Sequence, residues 1–260
     1  MQTPESELSE KTNWIQLFAA SEGDGTNAEN AHVGLHATYL RSIQKITQAF
    51  LKKLPPDTYV REGVEELSQN FYGDTFMPEN LRKIVARFEQ QKQEEKQLKF
   101  RAYLTVELLS FLKNRVRYWR TRQNLAAESM DQVVTEQSEE RTRQEWEKMF
   151  NRELAHSILH GALEEVRRGS AYASSPEFGA LMARLEDEED AGLEEIGRRI
   201  GKSVEQIKTT LKGLRKELRQ AIRQRIAATL VHPTKAEIDT EFRELFLSLM
   251  TEVPSSIPNG

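Results

Sequence analysis

Apolar residues recur at three- and four-residue spacing along most of the chain, and the strict alternation of a half-buried strand is scarce. Trp14, Ile15, Leu17 and Phe18 begin an apolar stripe that Ser21-Glu22-Gly23-Asp24-Gly25 interrupts. Val33, Leu35, Tyr39, Leu40, Ile43, Ile46 and Phe50 predict the inward side of a helix over Ala28–Leu54, stopped by Pro55-Pro56. A second helix is expected over Tyr59–Met77, with Val64, Leu67, Phe71 and Phe76 inward, and an increasingly charged third over 78–98. Phe100–Arg122 reads as a strongly amphipathic helix with Phe100, Leu104, Leu108, Phe111 and Leu112 on one side.

Periodicity fades at about residue 123, and the polar stretch Asn124–Glu140 reads as a linker. A second helical body is expected over Arg141–Leu230, with a loop at Gly169–Pro176, an acidic run at 186–190 and an end at His232-Pro233. A last helix, Lys235–Met250, carries Ile238, Phe242, Leu245, Phe246 and Leu249, and is expected to pack on the C-terminal lobe, the alternative being an inhibitory clasp on the N-terminal lobe. The pattern predicts an all-α chain of two helical domains: 12–122, a linker over 123–145, 146–232, and a C-terminal helix and tail over 233–260.

Composition narrows the classes. Among 260 residues, 37 basic side chains face 41 acidic ones, a net charge of −4, which argues against a simple nucleic-acid-coating protein but not against local basic patches. No apolar run approaches the ~20 residues needed to cross a bilayer, so membrane insertion is not expected. The first residues lack the basic and apolar regions of a signal peptide. The absence of cysteine removes disulfides, thiolate catalysis and Cys-ligated zinc, and fits a reducing cytoplasm.

The most informative stretch is Leu193–Lys208. Leu193, Ile196 and Ile200 form the buried side of a short helix, with Gly197 small where a second helix must cross. Gly201 sits where a left-handed residue ends the helix. Ser203 then caps a second helix, with Gln206 as its capping-box partner. Val204, Ile207, Leu211 and Leu214 pack inward, and Glu205, Gln206, Lys208, Thr209 and Lys212 point outward. Two helices joined by a short glycine-containing turn match the DNA-reading helix-turn-helix. Residues 193–226 hold ten basic against four acidic side chains, the local excess that phosphate neutralisation requires. An ordinary helical hairpin with a solvated basic face is the competing reading. Gly201-Lys202-Ser203 imitates the end of a phosphate-binding loop, but Ile196 stands where that motif needs glycine.

Three further features carry candidate chemistry. At Lys113–Arg122 basic groups interleave with Tyr118 and Trp119, a mixture that can track phosphates and stack bases, or else a helix end whose aromatics are core. Glu65, Glu66, Gln69 and Phe71 combine acidic and aromatic groups on one helix, with Phe71 expected in the core and the others on a partner-binding or merely solvated face. His32/His36 and His156/His160 have the i, i+4 spacing of paired metal ligands, yet no further ligand is identifiable, and no metal or other cofactor is expected. No catalytic constellation stands out, so the chain is not expected to be an enzyme.

The order of these features resembles the sigma-70 family of RNA polymerase sigma factors in its compact, extracytoplasmic-function form, closest to versions abundant in Planctomycetes. Thr12-Asn13-Trp14, Ala19-Ala20 and Gly23-Asp24 resemble the start of region 2, and Glu66–Tyr72 is similar to a D-L-T-Q-E-F-F segment. Phe100–Leu104, Phe111-Leu112 and Asn114-Arg115 resemble F-R-S-F-L…F-L-A-N-E. Glu195–Arg219 resembles region 4.2, and Ile226–Leu230 and Glu241–Phe246 look like the group's tail.

The resemblance implies a transcription initiation factor that brings core RNA polymerase to promoter DNA. Glu65, Glu66, Gln69 and Phe71 would dock on the polymerase clamp. Asn114, Arg115, Arg117, Tyr118, Trp119, Arg120 and Arg122 would meet the −10 element and the opened strand. Ser203, Glu205, Gln206, Lys208, Thr209, Thr210, Lys212 and Arg215 would serve the −35 element. The linker would thread towards the RNA exit channel, and an anti-sigma factor or other regulator is a further partner class. Gly213 stands where the family often carries Arg, which implies one lost contact and a helix weakened by ~1 kcal/mol relative to Ala. An operator-binding helix-turn-helix regulator and a helical adaptor that binds no DNA remain the alternatives.

Overall fold

The structure is a computed structural model that describes residues 25–55, 58, 60–94, 99–122, 136–185, 192–230 and 233–250. Among these the chain is all-α, with nine helices: α1 (Gly25–Lys52), α2 (Val64–Phe76), α3 (Pro78–Glu94), α4 (Phe100–Arg122), α5 (Glu136–Gly169), α6 (Phe178–Leu185), α7 (Leu193–Ile200), α8 (Val204–Ala228) and α9 (Lys235–Met250). The Trp14–Phe18 stripe, the region 2-like start at 12–24, residues 123–135 of the expected linker and the acidic run at 186–190 lie outside the described residues. The rest of that linker, from Glu136, is already the first turns of α5.

Two compact units emerge: Met1–Ser157 with Ala227–Gly260, and Ile158–Ile226. The division thus falls inside α5 and α8, because each is one long helix that contributes to both units.

In the first unit, Leu35, Tyr39, Ile43 and Ile46 of α1 are buried, as are Leu67, Phe71 and Phe76 of α2 and Phe100, Leu104, Leu108 and Leu112 of α4. Val33, expected inward, is 61% exposed. It precedes Leu35 by only two residues, which places it on the opposite side of the helix. Tyr39 and Tyr72 both stack on Phe76, with centroids 5.7 and 4.7 Å away. Met77 separates α2 from α3 with ψ 140°, the extended conformation that a following proline imposes, and Pro78 then opens α3.

The C-terminal helix corrects an expectation. α9 belongs to the first unit rather than packing with the helix-turn-helix. Arg101, near the start of α4 and only 7% exposed, donates to Glu241 and, at 2.9 Å, to Glu244. Lys99 also bonds Glu244, and lies 3.3 Å from Glu241. Asn151 of α5 accepts a further Arg101 bond at 2.6 Å, and Leu245 of α9 is buried. Burial lowers the pKa values of Arg101 and Lys99, while their carboxylate partners favour the charged forms. A buried guanidinium needs a carboxylate, and α9 supplies two.

Candidate nucleic-acid interface

In the second unit, Gly201 ends α7 with φ 71° and ψ 27°, and its N–H donates to Gly197 O. Lys202 N–H bonds the same carbonyl at 3.0 Å. A Cβ on Gly197 would lie 2.7 Å from the Lys202 carbonyl oxygen. Gly197 is therefore small because the turn folds back on it, and not chiefly because α8 crosses there. The capping box of α8 is formed: Ser203 N–H donates to Gln206 Oε1 at 3.0 Å, and Gln206 N–H to Ser203 Oγ at 3.3 Å.

Ile207, Leu211 and Leu214 of α8 are buried, whereas Glu205, Lys208, Thr209, Lys212 and Arg215 are exposed. Lys208 bonds Glu205 at 3.0 Å on a side chain that is 82% exposed, a pair that water and salt weaken. Thr210 departs from the expectation. It is buried and donates to Glu177 Oε1 at 2.8 Å, so its hydroxyl does not face a −35 element. Gly213 also has a packing reason: a Cβ there would lie 2.1 Å from the Tyr172 hydroxyl and 2.4 Å from its ring. The loop carrying Tyr172 is tied to α8 by Ser170 Oγ, which donates to Glu217 at 2.6 Å.

Glu177 is 1% exposed. Lys202 Nζ lies 2.8 and 2.7 Å from its two oxygens. Burial pushes this carboxyl up, but the Lys202 and Thr210 bonds more than offset it and hold the group below the usual carboxylate value.

In the first unit, the end of α4 divides its candidate residues. Asn114, Arg117 and Arg122 are exposed, and Arg120 is half-buried. Arg115 donates to Glu62 at 2.7 Å, and the Trp119 indole N–H donates to the other Glu62 oxygen. Glu62 is 5% exposed. Tyr118, 42% exposed, presents its ring with Arg115 and Arg122 guanidinium carbons 5.5 and 4.8 Å from the centroid. Trp119 is thus an anchor, and Tyr118 the available aromatic face. On α2, Glu65, Glu66 and Gln69 are exposed, whereas Phe71 is buried against Phe111 at 5.5 Å and does not belong to a partner surface.

His32 and His36 make edge contacts with Tyr72, with centroids 5.2 and 5.0 Å away. Among the described residues no cluster of three or more His, Asp or Glu could hold a metal ion, and no helix is long and apolar enough to cross a membrane.

Glu62 and Glu177 carried no sequence signal, since a lone glutamate beside a loop is usually solvated. Thr210 did carry one. It lies three residues after Ile207 and four before Leu214, on the buried side of α8. Comparison with known proteins finds no matching family model, no matching curated protein and no matching solved structure.

Proposed function

We propose that the chain is a sigma-70-type transcription initiation factor, a binding subunit without catalysis of its own that acts in the cytoplasm. It lends core RNA polymerase the recognition of −10 and −35 promoter elements and assists strand opening. The observation that carries the reading is the α7–α8 helix-turn-helix: a left-handed glycine, a formed capping box and an exposed row of Lys208, Thr209, Lys212 and Arg215. Two other surfaces support it over an operator-binding regulator. Tyr118 with Arg117 and Arg122 offers a base a stacking face and its phosphates cations, and Glu65, Glu66 and Gln69 offer an acidic docking face on α2. Two weak DNA contacts on one chain reinforce each other through effective concentration.

Co-purification with core RNA polymerase tests this reading. The wild-type chain should be retained by core enzyme. Glu66→Lys with Gln69→Ala should lose retention at unchanged circular dichroism, because both side chains are exposed. Retention equal for both proteins would remove α2 from the interface. A wild type that binds duplex DNA but never core enzyme would be an operator-binding regulator.

A further inference from the structure

We infer that Glu177 is a specificity-determining positioning residue of the helix-turn-helix, withdrawing Lys202 from the DNA backbone and fixing α8 through Thr210. The inference rests on the DNA-reading role proposed for α7–α8. By sequence, Lys202 joins Lys208 and Lys212 among the ten basic residues over 193–226. The structure separates them. Lys208 and Lys212 are exposed on α8. Lys202 aims its ammonium at a carboxylate that is 1% exposed, 2.8 and 2.7 Å from its two oxygens. Its own backbone is also held, through the N–H bond to Gly197 O. A buried carboxylate left without its cation is costly, so Lys202 does not leave Glu177 for a solvated phosphate.

The same carboxylate accepts from Thr210 at 2.8 Å. Thr210 lies between Thr209 and Leu211, in the segment whose outward residues are Lys208, Thr209 and Lys212. Pinning Thr210 sets the rotation of α8 about its axis, and with it the direction of those side chains. The two effects have different consequences for binding. A free lysine adds affinity for every duplex alike, because phosphate contacts carry no sequence information. A fixed helix favours only the matched sequence. Glu177 therefore suppresses indiscriminate binding and supports discrimination together.

The test uses the full chain, alone and with core polymerase. Binding is measured by anisotropy across 50–200 mM salt on two probes: a duplex enriched by the wild type from a random pool, and an unenriched random duplex. Lys208→Gln and Lys212→Gln should each lower the salt slope by about one. Lys202→Gln, which keeps a hydrogen-bond donor for Glu177, should leave the slope unchanged. Glu177→Gln frees Lys202 and replaces the charged acceptor of Thr210 with a neutral amide oxygen, which holds that hydroxyl and the rotation of α8 less firmly. It should raise the slope on random duplex by about one and reduce discrimination between probes about tenfold, the scale of one mismatched base pair. Adding Lys202→Gln to Glu177→Gln should bring the slope back without restoring discrimination, a reversal that general loss of structure would not give.

The inference is overturned if Lys202→Gln alone lowers the slope by about one, or if Glu177→Gln leaves both slope and discrimination intact. Should Glu177→Gln fail to fold, the Lys202→Gln slope decides alone. A wild type that enriches no duplex, alone or with core enzyme, sinks the DNA reading itself, an outcome distinct from either failure of Glu177.

Discussion

The two units bury charge in the same way but find its partners at different distances along the chain. In the second, Glu177 is satisfied by Lys202 and Thr210, 25 and 33 residues away. In the first, Arg101 is satisfied by Glu241 and Glu244, 140 and 143 residues away, and Glu62 by Arg115 and Trp119, 53 and 57 residues away. The second unit is one continuous piece of chain, whereas the first is closed by a helix from the far end of the sequence. The lesson is that α9 is a structural member of the unit that holds the −10 candidates, although it follows the helix-turn-helix in sequence.

Truncation after Pro233 should break this difference most sharply. It strips Arg101 of both carboxylates and takes away the buried Leu245; losing one partner of a pair that stays buried costs about 3–5 kcal/mol, and water reaching Arg101 lowers that share. Trp119 and Trp146 belong to the first unit and no tryptophan occurs over 158–226, so tryptophan fluorescence does not report the second unit. The urea transition of the first unit should move to much lower denaturant. Core-polymerase retention should not rise, because Glu65, Glu66 and Gln69 are already exposed with α9 in place. An equally stable, more strongly retained truncate would make α9 an inhibitory clasp instead.

Arg115→Ala and Tyr118→Ala should sharpen the picture within the first unit. Losing Arg115 leaves the buried Glu62, among the described residues, with the Trp119 indole, a cost of about 2 kcal/mol once the partial exposure of Arg115 is allowed for. Tyr118→Ala should change stability by less than about 0.5 kcal/mol, as surface substitutions do, while reducing permanganate-detected strand opening. Equal stability losses would make Tyr118 a core residue after all.

In the second unit, Gly213→Ala tests whether the glycine serves packing or is merely a weak helix former. Alanine favours helix by ~1 kcal/mol, but its Cβ would collide with the Tyr172 ring. Displacing that ring offsets part of the gain, so the substitution should stabilise a Tyr172→Ala background more than the wild type, a difference visible in paired thermal melts.

Acid should separate the units by the smallest margin. Burial, joined at His36 by the neighbouring His32, holds the imidazoles of His36 and His156 below the ordinary 6.5. As pH falls through 6.5 the unfolded chain takes up protons first, so stability of the first unit declines. Glu177 of the second unit is held below the ordinary 4.5. Its contribution is complete above that value and lost only as pH falls through its lower folded value. The fluorescence-detected urea midpoint should therefore be lower at pH 5.5 than at pH 7.5, and an unchanged midpoint would dismiss the histidine contribution.

What was legible in the sequence follows the same division by distance. The all-α class, the bounds of α4, the left-handed Gly201 and the Ser203–Gln206 capping box were readable because each is written within a few residues. A second capping box opens α9, where Thr234 N–H bonds Glu237 at 2.9 Å and Glu237 N–H bonds Thr234 Oγ1 at 3.2 Å. It was equally local but went unread. The commitment of Arg115 and Trp119 to Glu62, of Lys202 and Thr210 to Glu177, and of Arg101 to α9 was not readable, since periodicity says which face is apolar and not which distant carboxylate meets a buried cation. Arg115 and Trp119, two of the seven −10 candidates, therefore looked freer in sequence than they are.

The central claim is that this chain gives core RNA polymerase a promoter preference it lacks alone. The most direct measurement is transcription by core enzyme on a pool of random-sequence templates, with and without the purified protein, sequencing the transcript 5′ ends. Addition should concentrate starts downstream of one recurring pair of upstream elements, and Glu66→Lys with Gln69→Ala should abolish that concentration. Starts distributed identically with and without the protein, at concentrations where it is folded, would contradict the account.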